Sequence, residues 1–487
     1  MVSTRFAPCP PDHTLVAGFD RIRADLEVPD SFPPAVEREA DEVSRRGPEL
    51  PPDADDRERV DHRGIELVSI DPPGSRDIDQ AFSATRTKRG YLVHYAIADL
   101  GSFVAPGGAI DRESRERGVT LYSPDERASL HPDAINHGIA SLLPGEDRAA
   151  LMWSIDIDHD GAILAARIER SLVRNREAIT YREAQTRLAR PDAPETLRLL
   201  REIGRLREEQ ERIRHAVSLR LPAQEITATD DTYELTYDES LPIEGWNAQI
   251  SLLTGIAAAA IMIEGGTGLL RTLPRPPRDT IAELRAIARG LHIGWDSQVG
   301  YAERVRELDP TIPNEAALLS AAARGLRGAG YLAFHDGGLP SRPEHSAIAS
   351  TYAHVTAPLR RVCDRFANEI LLAQVADRRP PSWAVEALDE LPEIMGRARN
   401  RDGRLERALL DYLEATTLAG REGAVLDAVV TGRRDDAAVV QVLEPAVIAP
   451  IDDDTLPLGE RIRVQVLAVD VDAGRVVLDR ARSADGE

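Results

Sequence analysis

Ile65-Glu66-Leu67-Val68-Ser69-Ile70 leads straight into Asp71-Pro72-Pro73-Gly74-Ser75-Arg76-Asp77-Ile78-Asp79-Gln80, and Tyr91-Leu92-Val93-His94-Tyr95-Ala96-Ile97-Ala98 follows shortly after. The first run alternates like a strand; the last is almost continuously apolar, as in a strand buried on both faces. Between them Pro and Gly bend the chain, so three aspartates close in sequence can converge. Like charges ~4 Å apart repel by roughly 4 kcal/mol per pair at an effective dielectric of 20. A hard divalent cation relieves that cost, and carboxylate oxygens are the ligands magnesium prefers. Spacing alone leaves a solvated acidic turn with splayed side chains equally open. Asp156, Asp158 and Asp160 are read as such a turn.

Working outward, Met152-Trp153-Ser154-Ile155-Asp156-Ile157 predicts another strand, closed by His159-Asp160-Gly161. Helical spacing then takes over at 181–215, 246–264, 280–290, 314–325 and 358–375. Strands followed by helices predict one large α+β domain over 61–415, with a mixed or antiparallel sheet covered by helices. Residues 420–487 hold short Val-rich runs separated by turns, the pattern of a small five-stranded barrel of the S1/OB type. Residues 1–60 are Pro-rich, with one helix expected at 36–46, and are read as a segment draped over the larger domain.

A second stretch offers cations for the phosphate oxygens a metal does not reach: Tyr352-Ala353-His354-Val355-Thr356-Ala357-Pro358-Leu359-Arg360-Arg361. Pro358 is expected to open a helix capped by Thr356, with both arginines projecting from its first turn as an anion site.

Composition bounds these readings. The chain has 487 residues, 42% apolar and 29% charged, which predicts two or three domains. Its formal net charge of -22 argues against a partner held on a broad basic surface. Lys88 is the only lysine, and high-GC coding is the plain explanation for 59 arginines. Cys9 and Cys363 stand in unrelated contexts, which fits a reducing compartment and excludes a disulfide framework. No run reaches ~18 uninterrupted apolar residues. A cytoplasmic protein with no membrane contact is expected.

Five stretches, in order, resemble the RNB domain of the ribonuclease II and ribonuclease R family. They are Ser69 to Asp79; Ala96-Ile97-Ala98-Asp99; Gly118-Val119-Thr120-Leu121-Tyr122-Ser123-Pro124; Ala140-Ser141-Leu142-Leu143-Pro144-Gly145; and Thr356 to Asp364. The resemblance runs over about 61–415 and implies a magnesium-dependent 3′→5′ exoribonuclease, with manganese as a substitute ion, whose sheet and helices surround a channel for single-stranded RNA. It implies that Asp71, Asp77 and Asp79 are metal-binding and catalytic carboxylates, with Asp79 the most critical. Arg360 matches the arginine that grips the scissile phosphate, joined by Arg361 beside it, and Glu406 matches a glutamate near the catalytic centre. Tyr122 resembles the aromatic that stacks on the 3′-terminal bases. Tyr181 and Glu244 match residues that contact ribose hydroxyls, the natural discriminator of RNA from DNA. No obligate protein partner is implied.

Three departures stand out. Gln80 replaces a fourth aspartate; its amide oxygen is still able to ligate a metal, with one charge fewer. Leu221 falls where ribonuclease II places a second stacking aromatic, a loss of roughly 1–3 kcal/mol per base. Nothing like two cold-shock barrels fits ahead of residue 61. The C-terminal barrel resembles an S1 domain but has an acid excess and no aromatic residue, so it is expected mainly to cap the catalytic domain. The alternative is a pseudonuclease that captures RNA 3′ ends with an impaired metal site.

Overall fold

The computed structural model describes residues 5–6, 13–49, 59–217, 219, 223–228, 233–238, 241–338, 341–434 and 437–481. Two helices come first, α1 (His13–Asp25) and α2 (Pro34–Arg46). Val36, Ala40 and Val43 recur at helical spacing on α2 and are buried against one face of the central sheet.

That sheet is built from β1 (Val60–Asp61), β2 (Leu67–Asp71), β3 (Gln80–Thr87) and β4 (Gly90–Ala98). A small hairpin, β5 (Leu121–Tyr122) and β6 (Arg127–Ala128), precedes the two long strands β7 (Asp147–Asp158) and β8 (Ile163–Thr180). The order is β1-β8-β2-β3-β4-β7. β8 runs antiparallel to β7 along most of its length, while its end, Asn175–Thr180, runs parallel to β2, so the ring of strands closes. The continuous apolar run on β4 is buried on both sides as expected: Tyr91, Val93, Tyr95 and Ile97 enter one core, Ala96 and Ala98 the other.

Helices cover the first of these cores: α3 (Tyr181–Leu188), α4 (Glu195–Ile213) and α5 (Pro242–Glu264). The single helix expected over 181–215 is broken between Leu188 and Glu195, where Pro191 and Pro194 remove backbone donors. α5 is long and apolar enough to cross a membrane, yet it packs Trp246, Ile250, Leu253 and Ala257 into the sheet core.

α6 (Val362–Val375) and α7 (Leu391–Leu418) follow. The expected start at Pro358 is displaced. Asp364 accepts the Ala357 N–H at 2.8 Å and the Arg361 side chain at 2.8 Å, closing a turn, so the helix begins at Val362 and Thr356 does not cap it.

The barrel comprises β9 (Val425–Arg434), β10 (Ala437–Val442), β11 (Ile448–Ile451), β12 (Arg461–Asp470) and β13 (Arg475–Arg480), closed in the order β9-β10-β11-β13-β12. Its core is continuous with Leu15 and Phe19 of α1 and Leu405, Leu409 and Leu413 of α7. The N-terminal helix and the barrel are therefore packed together against α7.

Candidate active site

Asp79 is the fixed point of the site. It is 3% exposed, its Oδ1 accepts the Leu359 N–H at 2.8 Å, and its Oδ2 lies 3.5 Å from Arg360 Nε. The loop that ends in Asp79 turns through Gly74, whose φ of +76° an L side chain rarely adopts. Ser141 braces the far end: its hydroxyl donates to the Arg76 carbonyl at 2.7 Å and accepts the Ile78 N–H at 2.9 Å. Ser141 and Leu142, whose N–H donates to the Ile78 carbonyl at 3.0 Å, thus clamp the aspartate loop, a role their sequence alone did not disclose.

Arg360 is placed by backbone pairing. The Thr120 N–H donates to the Arg360 carbonyl at 3.1 Å and the Val362 N–H to the Gly118 carbonyl at 3.0 Å, which lays Gly118–Tyr122 alongside it. From β5 the Tyr122 hydroxyl donates to Asp77 Oδ2 at 3.2 Å, and from β6 Arg127 Nη1 donates to Asp77 Oδ1 at 2.8 Å. Tyr122 and the Arg360 side chain are 36% and 46% accessible, so solvent reaches the groups beside Asp77 and Asp79. A buried carboxylate beside two solvent-reached side chains makes a recess open to a ligand.

Opposite lies Tyr181, at the start of α3, whose hydroxyl accepts from Asn247 Nδ2 at 3.4 Å. Burial raises its phenol pKa, and the nearby Asp71 carboxylate adds to the shift. Glu244 Oε1 accepts the Leu241 N–H at 3.0 Å and closes the first turn of α5. Glu406 lies on α7 beside Asp402, whose carboxyl is pushed up to about 6 by burial and by Glu406.

Two of the expected site residues are engaged by partners that the sequence did not point to. The Gln80 amide oxygen is taken up by two hydroxyls, accepting from Tyr95 and, at 3.1 Å, from Ser251. As the first residue of β3 it shares a face with Phe82 and Ala84, both in the core under α5. Arg361 is engaged by the fully buried Asp364 and stabilises the turn before α6 instead of entering the recess. Leu221 lies outside the described residues.

Burial pushes the Asp71 carboxyl up to about 6, with Arg360 opposing and Asp77 adding to the shift. Burial pushes Asp79 up to about 8 against the pull of Arg360 and the Leu359 N–H. Among the described residues, no three Asp, Glu, His or Cys side chains stand close enough to enclose a cation. The expected convergence on one point is therefore not seen; Asp77 is drawn toward Arg127 and Tyr122. The donor set still fits a hard divalent ion, being all carboxylate oxygen, and Asp71 Oδ2 is buried with no hydrogen-bond partner.

The sequence matches the RNB domain over residues 59–377 and the RNase II-type exonuclease C-terminal S1 domain over 424–481. It is 29% identical over 336 residues to the human exosome complex exonuclease RRP44, covering 66% of this chain but only 35% of that protein. It is 24% identical over 511 residues to ribonuclease R of Aquifex aeolicus, covering 94% of this chain and 69% of that one. Its fold is similar to that of Mycoplasma genitalium RNase R, with a TM-score of 0.84 at 18% identity over 96% of this chain and 78% of that one. It is also similar to yeast Ssd1, a pseudonuclease, with a TM-score of 0.71 at 17% identity over 94% of this chain and 59% of that one. The chain thus spans about a third of the length of the RRP44 and dis3 relatives it matches. Match and geometry agree that the chain belongs to the RNB family, with an RNase II-type S1 domain behind its RNB domain.

Proposed function

We propose that the chain is a metal-dependent 3′→5′ exoribonuclease that hydrolyses single-stranded RNA to nucleoside 5′-monophosphates in the cytoplasm. The observation that carries this reading is the meeting of Asp79, Arg360 and Tyr122 in one solvent-reached recess, although they lie far apart in sequence. Asp71, Asp77 and Asp79 would hold magnesium, or manganese in its place, and the ion would polarise the phosphoryl group and acidify a water. Arg360 stabilises charge developing on the phosphate, with its guanidinium fixed before substrate arrives. Tyr122 offers an aromatic face to the 3′-terminal base, and Tyr181 a hydroxyl to ribose.

The test uses 5′-labelled RNA with magnesium or manganese. Stepwise shortening with mononucleotide release is expected; intact RNA in both metals sinks the reading. Asp79→Asn keeps an oxygen for the Leu359 N–H but loses the charge, and should slow turnover by roughly 10²–10³-fold while RNA still binds. One observation favours a second reading, a 3′-end-binding pseudonuclease: Gln80, neutral where the family has an aspartate, gives its amide oxygen to Tyr95 and Ser251. RNA binding without turnover, indifferent to Asp79→Asn, is what that reading requires.

A further inference from the structure

Each carboxylate of the recess has a different companion. Asp71 Oδ2 has no partner, and Asp79 is tied to a backbone N–H and faces Arg360. Asp77, with its side chain 8% exposed, has both oxygens engaged by one element, the β5–β6 hairpin, through Arg127 at 2.8 Å and the Tyr122 hydroxyl at 3.2 Å. We infer that Arg127 is the resting counter-ion of Asp77, so that the hairpin sets how tightly the site takes up a divalent cation. The inference rests on the metal-dependent reading above and deepens it.

The hairpin is not free to drift. At its turn Asp125 receives both Nη atoms of Arg23, at 2.7 and 2.9 Å, and Glu126 lies 2.9 Å from Arg23 Nε. Arg23 belongs to α1 and is 9% exposed, so the N-terminal helix holds the turn while the two strands reach Asp77. A cation that uses Asp77 must share that carboxylate with a fixed guanidinium or displace it. In a half-buried site the repulsion between the two cations is weakly screened, and the guanidinium competes with the metal. A group that only orients a metal ligand acts in the opposite sense, since its loss weakens metal affinity. The sign of the change therefore separates the two roles.

Manganese binding to the full chain, without RNA, is measured by calorimetry or by loss of the free-ion electron paramagnetic resonance signal. Arg127→Gln is expected to bind Mn2+ about tenfold more tightly than the wild type, equivalent to about 1.4 kcal/mol. Arg127→Lys, which keeps the charge, should stay within about threefold of the wild type. A folded Arg127→Gln variant with unchanged or weaker affinity overturns the inference. Should that variant not fold, Arg127→Met, which keeps the apolar stem and loses the charge, takes its place: a gain of similar size supports the inference, and no gain overturns it. Manganese uptake by the wild type with no gain in the variants sinks this inference alone. No uptake by any of these proteins sinks it together with metal dependence.

Discussion

Gln80 shows how one side chain can leave a motif that it appears to complete. Its amide oxygen serves two hydroxyls, Tyr95 and Ser251, which also lie 2.8 Å from each other. Gln80→Leu deprives both of that acceptor but leaves them each other, so the cost should be modest, about 1–2 kcal/mol, seen as a melting point lower by about 1–3 °C. The same variant should leave Mn2+ affinity within a factor of about two. A clear loss of affinity would return Gln80 to the metal. Asp79 and Arg360 were singled out through the resemblance to the RNB family; spacing alone left the Asp71–Asp79 stretch equally open as a solvated turn. The orientation of Gln80 was legible in principle, since Gln80, Phe82 and Ala84 alternate onto one face and two of them are apolar. Arg361 was misplaced for a related reason: Asp364, three residues on, supplies a partner that the motif leaves out. Arg127 carried no signal, because its partner Asp77 lies 50 positions away.

Between elements, the joint of α7 with the barrel holds a buried acid. Glu414 Oε1 accepts from Gln224 Nε2 at 2.8 Å and from the Ile448 N–H of β11 at 2.8 Å. Burial pushes its carboxyl up to about 7, with Asp411 adding to the shift and Gln224, the Ile448 N–H and Arg407 opposing it. The folded protein therefore holds this proton to about pH 7, whereas the unfolded chain releases it near pH 4.3. Between those values the native state binds more protons, so this group's contribution is full below about pH 4.3 and is lost as pH rises through 7. Glu414→Gln keeps an acceptor for both donors and cannot ionise. Denaturant titrations at pH 6 and pH 8 should show the wild type losing about 1–2 kcal/mol more than the variant on going to the higher pH. Equal losses would show that the proton is not held. At this scale the strand at 91–98 and the Val-rich runs of the barrel could be read directly, because period and turn residues agree. The start of α6 and the break between α3 and α4 could not: one depends on Asp364 and the other on how two prolines compete with a strong helical pattern.

For the whole molecule, net charge asks how RNA could be attracted at all. Of the -22, residues 1–60 and 420–487 account for -12, with 8 basic and 14 acidic residues in each. Yet α1 and the barrel share one core with α7, so the described parts of both acidic regions are packed against the larger domain. An outer surface of this kind offers little to a long phosphate chain, whereas the recess presents Arg360 and two tyrosines locally. Affinity should therefore come from the few nucleotides inside the recess and gain little from length. With Asp79→Asn protein, fluorescence anisotropy should give Kd values for 10- and 30-nucleotide RNAs within about threefold of each other. Three or four phosphates neutralised, at roughly -0.7 each for a single strand, predict a slope of log K against log salt of about -2 to -3, equal for both lengths. A 30-mer that binds more than about thirtyfold tighter, with a steeper slope, would place phosphate contacts outside the recess and refute binding by threading alone.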